Sequence, residues 1–183
     1  MIIEILLVVA VLVIGLVIFI ATRPADFLTV RSACIPAPPA TIFAEVNDLH
    51  RWEAWSPWAR LDPSATNTYD GPADGVGSSM HWRGNNKVGE GRMTIVASQP
   101  HQLVRLKLEF LKPFVAVNDV DFTFEPGVEG TLVTWSMTGR RNFMFKAMGL
   151  LVDCDKMCGD MFMQGLANLR AIVTSDRTPV ATR

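Results

Sequence analysis

The 183-residue chain predicts an α+β domain: a curved antiparallel sheet of seven strands around one long C-terminal helix, with two short helices after the first strand and one transmembrane helix in front. Three observations carry this. Ile5 to Ala21 is an unbroken apolar run, Thr66 to Met137 alternates with period two between turn signals, and Asn142 to about Ser175 carries a helical stripe.

The first run approaches the roughly 30 Å hydrocarbon core of a bilayer, more so with Ile2 and Ile3 added. No Lys or Arg precedes it, and Ile20-Ala21-Thr22-Arg23 is a poor cleavage site, so an uncleaved anchor fits better than a signal peptide. Residues 1–23 are thus the expected anchor, with membrane contact through residues 2–22. Arg23 and Arg31 follow it, which favours a cytoplasmic domain in a single-pass protein of the cell membrane. Two charges do not fix the orientation.

Pro24 ends the run, and Phe27 to Cys34 alternates as a first strand. Pro39 suits the first turn of a helix, giving a short one over Thr41 to Asn47. Asp48 to Trp58 holds three of the five tryptophans and reads as a second short helix ending before Pro57. Strands follow at Thr66–Asp70, Ser78–Arg83, Gly89–Ser98, Gln102–Phe110, Phe114–Phe124 and Thr131–Thr138, joined by short Gly-, Pro- and Asn-bearing turns that imply a meander.

In the last segment, steps of 100° place Phe143, Met144, Ala147, Met148, Leu151, Cys154, Asp155, Cys158, Met161, Phe162, Gly165, Leu166, Leu169, Ile172 and Val173 on one face. Lys146, Asp153, Lys156, Asp160, Gln164, Arg170 and Thr174 lie opposite. The domain spans residues 24–176, and residues 177–183 form a polar tail expected to be disordered.

A twisted antiparallel sheet buries one face against such a helix. The expected inner set is Met80 and Trp82; Met93, Ile95 and Ala97; Val104, Leu106, Leu108 and Phe110; Asn118, Val120, Phe122 and Phe124; then Val133, Trp135 and Met137. Arg92, Arg105, Lys107, Glu109, Asp119 and Asp121 face solvent.

The chain has 17 Lys and Arg against 18 Asp and Glu, a formal net charge of −1. No nucleic-acid partner is expected, because one would require a basic face. Three cysteines make no disulfide framework. Cys154 and Cys158 sit one turn apart and read as packing. His50, His81 and His101 fall on different segments, so no metal or cofactor is expected.

Several stretches resemble one known family: Trp52-Glu53-Ala54-Trp55-Ser56-Pro57-Trp58, Lys87-Val88-Gly89-Glu90-Gly91, Phe122-Thr123-Phe124-Glu125-Pro126, Val133-Thr134-Trp135-Ser136-Met137 and Gly165-Leu166-Ala167-Asn168-Leu169. In this order they are similar to the START, birch-pollen-allergen and polyketide-cyclase superfamily (SRPBCC), in particular its bacterial membrane-anchored branch. The resemblance covers Phe27 to about Ile172. It implies the helix-grip fold and a cavity between sheet and helix that takes apolar ligands.

On that expectation the ligand-binding residues are Met80, Trp82, Phe110, Asn118, Trp135, Met137, Leu151, Asp155 and Met161, with Met148 and Phe162 beside them. A filled core would use the same apolar residues. Asp155 is the one charge on the helical stripe. It either orients a ligand or acts as an acid or base with a raised pKa, or it pairs at the margin with Arg83, Lys87 or another basic loop residue. Asn118 either bonds a ligand or ties down a neighbouring strand or water. The tryptophans Trp52, Trp55 and Trp58 either pack the short helices, cap the cavity or touch the membrane.

Three function classes remain. The first is a membrane-anchored domain binding a hydrophobic small molecule or lipid. The second is a polyketide cyclase/dehydratase-like enzyme, disfavoured because the inner strand positions carry no ionisable group and the single tyrosine, Tyr69, lies on a peripheral strand. The third is a membrane-tethered interaction module with an unspecified protein partner.

Overall fold

The structure is a computed structural model describing residues 1–150 and 152–175. Leu151 and the tail, including the expected disordered segment 177–183, lie outside the described residues.

Helix α1 (Ile2–Thr22) is long and apolar enough to cross a membrane, with a mean hydropathy of 3.3. It lies exposed along its length apart from Ile20. β1 (Asp26–Ile35) follows, then α2 (Pro39–Asn47), with Pro at its first turn where a missing N–H costs nothing. The second expected helix is three short pieces: a 3-10 turn at Leu49–Arg51, α3 (Trp52–Trp55) and a 3-10 turn at Pro57–Arg60. Pro57 forces the second break.

Strands β2 (Thr66–Asp70), β3 (Ser79–Arg83), β4 (Glu90–Gln99), β5 (Leu103–Lys112), β6 (Ala116–Gly127) and β7 (Gly130–Arg140) complete one antiparallel sheet of order β1-β7-β6-β5-β4-β3-β2. All seven strands fall where the alternation puts them. One local detail differs. A bulge between Ile95 and Ala97 places Ala97 opposite Arg105 and Ser98 opposite Val104. Ser98 therefore takes the inner position expected of Ala97, and its hydroxyl bonds Asn47 Oδ1 at 2.7 Å.

The C-terminal stripe does not form one helix. It divides into α4 (Phe143–Met148) and α5 (Cys154–Ser175). Asn142 Oδ1 accepts the Phe145 N–H at 2.9 Å, and Asp153 Oδ1 accepts the Lys156 N–H at 2.9 Å. Each side chain satisfies a donor at a helix start, so the segment carries two start signals with Gly149 between them. The continuous 100° progression concealed this.

α5 buries Phe162, Gly165, Leu166, Leu169 and Val173 on the predicted face, and also Gly159, which that face did not include and which the Arg31 guanidinium covers. In α4 no residue is buried. At the centre of the grip the Trp135 and Phe162 rings stack at 4.3 Å with 6° between planes, while Phe122, Trp52, Trp55 and Trp58 pack around Trp135 edge-on or tilted. Trp52 Nε1 donates to Val46 O at 2.8 Å and Trp55 Nε1 to Glu45 O at 3.3 Å. The tryptophans thus lock the short helices onto the core.

Candidate binding pocket

Because the centre is packed, the space between sheet and helix opens at one end only partly expected from sequence. A cavity of about 410 Å³ lies where β1, the ends of β5–β7, the turn 86–89, α4 and the start of α5 converge. This falls in the lower part of the 300–1,000 Å³ span typical of ligand sites.

Register explains its floor. Phe27 of β1 faces Gly139 of β7, which faces Asn118 of β6, which faces Leu108 of β5. A Cβ on Gly139 would collide with the Asn118 carboxamide and the Phe27 ring. The glycine therefore makes room for a buried amide beneath an aromatic ring. The Asn118 amide nitrogen reaches the Met137 sulfur at 3.8 Å, a weak acceptor. Phe114 and Phe145 meet edge-to-face at 5.6 Å and join the β5–β6 turn to α4 at the mouth.

Of the residues expected from sequence, Phe110, Asn118 and Met137 line this cavity, as does Met148. Met80 and Trp135 belong to the packed core. Trp82 packs edge-on against Phe110 and donates Nε1–H to Val88 O at 3.1 Å, behind the lining. Met161 is half-buried on α5 and away from the cavity. Leu151 lies outside the described residues. Phe27, Thr29, Phe114, Phe145, Met157 and the basic residues at the rim were missed. Alternation in β1 puts Phe27, Thr29 and Arg31 on one face, the signal that could have found the first two.

Asp155 sits beside the cavity and its partner is not on a loop. Its carboxylate meets Arg31 of β1 at 3.2 Å, correcting the expected pairing with Arg83 or Lys87. The Thr29 hydroxyl, and then the guanidiniums of Arg31 and Arg141, hold the Asp155 carboxyl below the ordinary carboxylate range. An acid or base with a raised pKa is thereby contradicted. Burial, reinforced by the Asp155 charge, pushes the Cys158 thiol up to about 11.

Two buried carboxylates brace the walls. Asp62 accepts from the Asn85 N–H at 2.6 Å and from Ser64 Oγ at 2.6 Å, fixing the turn that carries residues 86–89. Glu90 holds Lys112 at 2.8 Å and Arg83 at 3.1 Å.

A sequence model of the family described as polyketide cyclase / dehydrase and lipid transport matches residues 28–174. No curated protein sequence matches the chain. Solved structures share the fold at low identity. Protein MLL2253 from Mesorhizobium loti superposes with a TM-score of 0.61 at 18% identity, covering 84% of this chain and 100% of that one. Protein CV1439 from Chromobacterium violaceum gives 0.59 at 14%, covering 80% and 96%. The Aha1 dimer from Colwellia psychrerythraea gives 0.57 at 17%, again covering 80% and 96%.

Proposed function

The chain belongs to the polyketide cyclase/dehydrase and lipid-transport family of the SRPBCC superfamily, and on that premise we propose that it is a membrane-anchored domain that binds a hydrophobic small molecule or lipid. The observation that carries the reading is the cavity of about 410 Å³ at the end of an otherwise solid grip. Its walls are mainly aromatic, aliphatic and methionine side chains, with Asn118 and Thr29 as polar points among them and Asn86 and four basic side chains also in the lining. Such a lining removes apolar ligand surface from water and leaves few groups to make unsatisfied.

Binding is favoured over acid–base turnover by the chemistry of that lining. Among the described residues it contains no Asp, Glu or His. Asp155 is engaged by Thr29 and Arg31, and Cys158 is held as a thiol, so neither is poised to exchange protons or attack near neutral pH.

Helix α1 supports the anchoring. Its 21 residues span about 31 Å, and its apolar side chains find almost no protein to bury them. The anchor, residues 1–23, then holds the binding domain, residues 24–176, beside a source of apolar ligands.

The test is native mass spectrometry of the full chain released from membranes, with Ala116→Trp as a plugged control. A co-purifying apolar molecule that is lost in the plugged variant is expected. A cavity that stays empty, with no stabilisation by any membrane lipid extract, overturns the reading.

A further inference from the structure

The cavity lining has a charge asymmetry that an apolar ligand does not explain. Among the described residues that line it, Lys87, Lys112, Arg140 and Arg141 are cationic and none is acidic, in a chain whose formal net charge is −1. Two of the four are engaged: Lys112 by Glu90 at 2.8 Å and Arg140 by Asp26 at 3.3 Å. Lys87 and Arg141 form no ion pair within 4 Å among the described residues; each has only a more distant carboxylate, Asp62 for Lys87 and Asp155 for Arg141. Arg141 is half-buried, with its guanidinium 5.3 Å from the centroid of the Phe27 ring, itself part of the wall. An aromatic face thus sets a planar five-donor cation at the boundary between apolar cavity and solvent.

We infer that the ligand is an amphiphile with one apolar chain and an acidic head, the chain in the cavity and the head at Arg141 and Lys87. This rests on the proposed binding function and adds the ligand's chemical class. The acidic head satisfies these two cations, Arg141 by a forked pair of hydrogen bonds and Lys87 as a point charge. The volume limits the rest: about 410 Å³ suits a single chain and not a two-chain phospholipid. Location agrees as well. Lys146 of α4, the helix that closes the mouth, donates to Ala21 O at the end of α1 at 3.1 Å, so the mouth lies where α1 ends.

The test uses the full chain in uncharged maltoside micelles, with hexadecanoate, hexadecyl phosphate and hexadecan-1-ol added at equal mole fractions. The midpoint of thermal unfolding is read against concentration. At least one acid should saturate at concentrations about tenfold or more below the alcohol, and the tighter acid identifies the head as carboxylate or phosphate. Lys87→Gln/Arg141→Gln should bind the acids as weakly as the alcohol, whereas Arg141→Lys keeps part of the preference. Raising salt should weaken acid binding and leave the alcohol unchanged.

Equal binding of acids and alcohol overturns the head-group inference and leaves the hydrophobic pocket standing. So does an acid preference that survives in the double variant. If no amphiphile and no membrane lipid extract moves the midpoint, or if Ala116→Trp leaves every shift intact, the inference and the proposed binding function both fail.

Discussion

The guanidinium of Arg31 crosses the bare backbone of Gly159 to reach the carboxylate of Asp155, 3.2 Å away. A strand and a helix 124 residues apart are thereby joined at the margin of the cavity.

Gly159→Ala places a methyl group where that guanidinium lies. It gains roughly 1 kcal/mol of helix propensity and displaces Arg31, so net stability should change little. What should disappear is the coupling between Arg31 and Asp155, about 0.5–1 kcal/mol for a partly exposed pair. Urea unfolding of Arg31→Ala, Asp155→Ala and the double variant measures it, with and without the glycine substitution. A coupling that persists in the Gly159→Ala background would contradict the crossing geometry.

Glu90 predicts the acid limb of stability. Lys112 and then Arg83 hold its carboxyl down to about 2 from an ordinary 4.5. The folded state therefore binds fewer protons than the unfolded state between these values. The contribution is complete above about 4.5 and is lost as pH falls towards 2. Glu90→Gln should flatten the decline of the unfolding midpoint over that window, and an unchanged slope would rule out this role.

Core and pocket should separate by mutation. Phe162→Ala removes the ring stacked on Trp135 and should cost about 3–5 kcal/mol, with ligand affinity reduced only through loss of folded protein. Ala116→Trp should do the reverse, abolishing ligand stabilisation while the unliganded midpoint moves little. Denaturant titrations with and without hexadecanoate distinguish the two patterns.

The cysteines supply a chemical readout of occupancy. Cys34 is exposed, whereas the Cys158 thiol, pushed up to about 11, offers little thiolate at pH 8. Iodoacetamide should label Cys34 first and Cys158 last. Cys154 and Cys158 line the cavity, so a bound ligand should slow both and leave Cys34 unaffected. Peptide mass spectrometry over a time course reports the order.

The fold was legible because each strand declares itself locally, by alternation and by a turn at its end. Even the buried face of α5 could be read by angle alone. The break before α5 could not, since Gly149 and Asp153 fit a continuous helical progression and act only through caps and docking. Asp155 stood out as the charged member of an apolar face, yet its partner is set by the closure of β1 onto α5. The candidate site was legible only in part. Phe110, Asn118 and Met137 face inward by parity, but parity cannot tell that Trp135 and Phe162 fill the centre and leave the space at one end. Phe27, Arg140 and Arg141 reach the mouth only because the first and last strands are neighbours.

Between the last residue of α1 and the first of β1 stand Arg23, Pro24 and Ala25. Four extended steps of chain reach roughly 14 Å. On the proposed anchoring, so short a leash forbids commuting: the domain cannot ferry its cargo from one membrane to another. It can only lift a molecule from the bilayer in which it is rooted, hold it, and surrender it there or to something that comes to it. Stationed this way, it meets ligand at the concentration dissolved in that bilayer, and scarcity in the surrounding water ceases to matter.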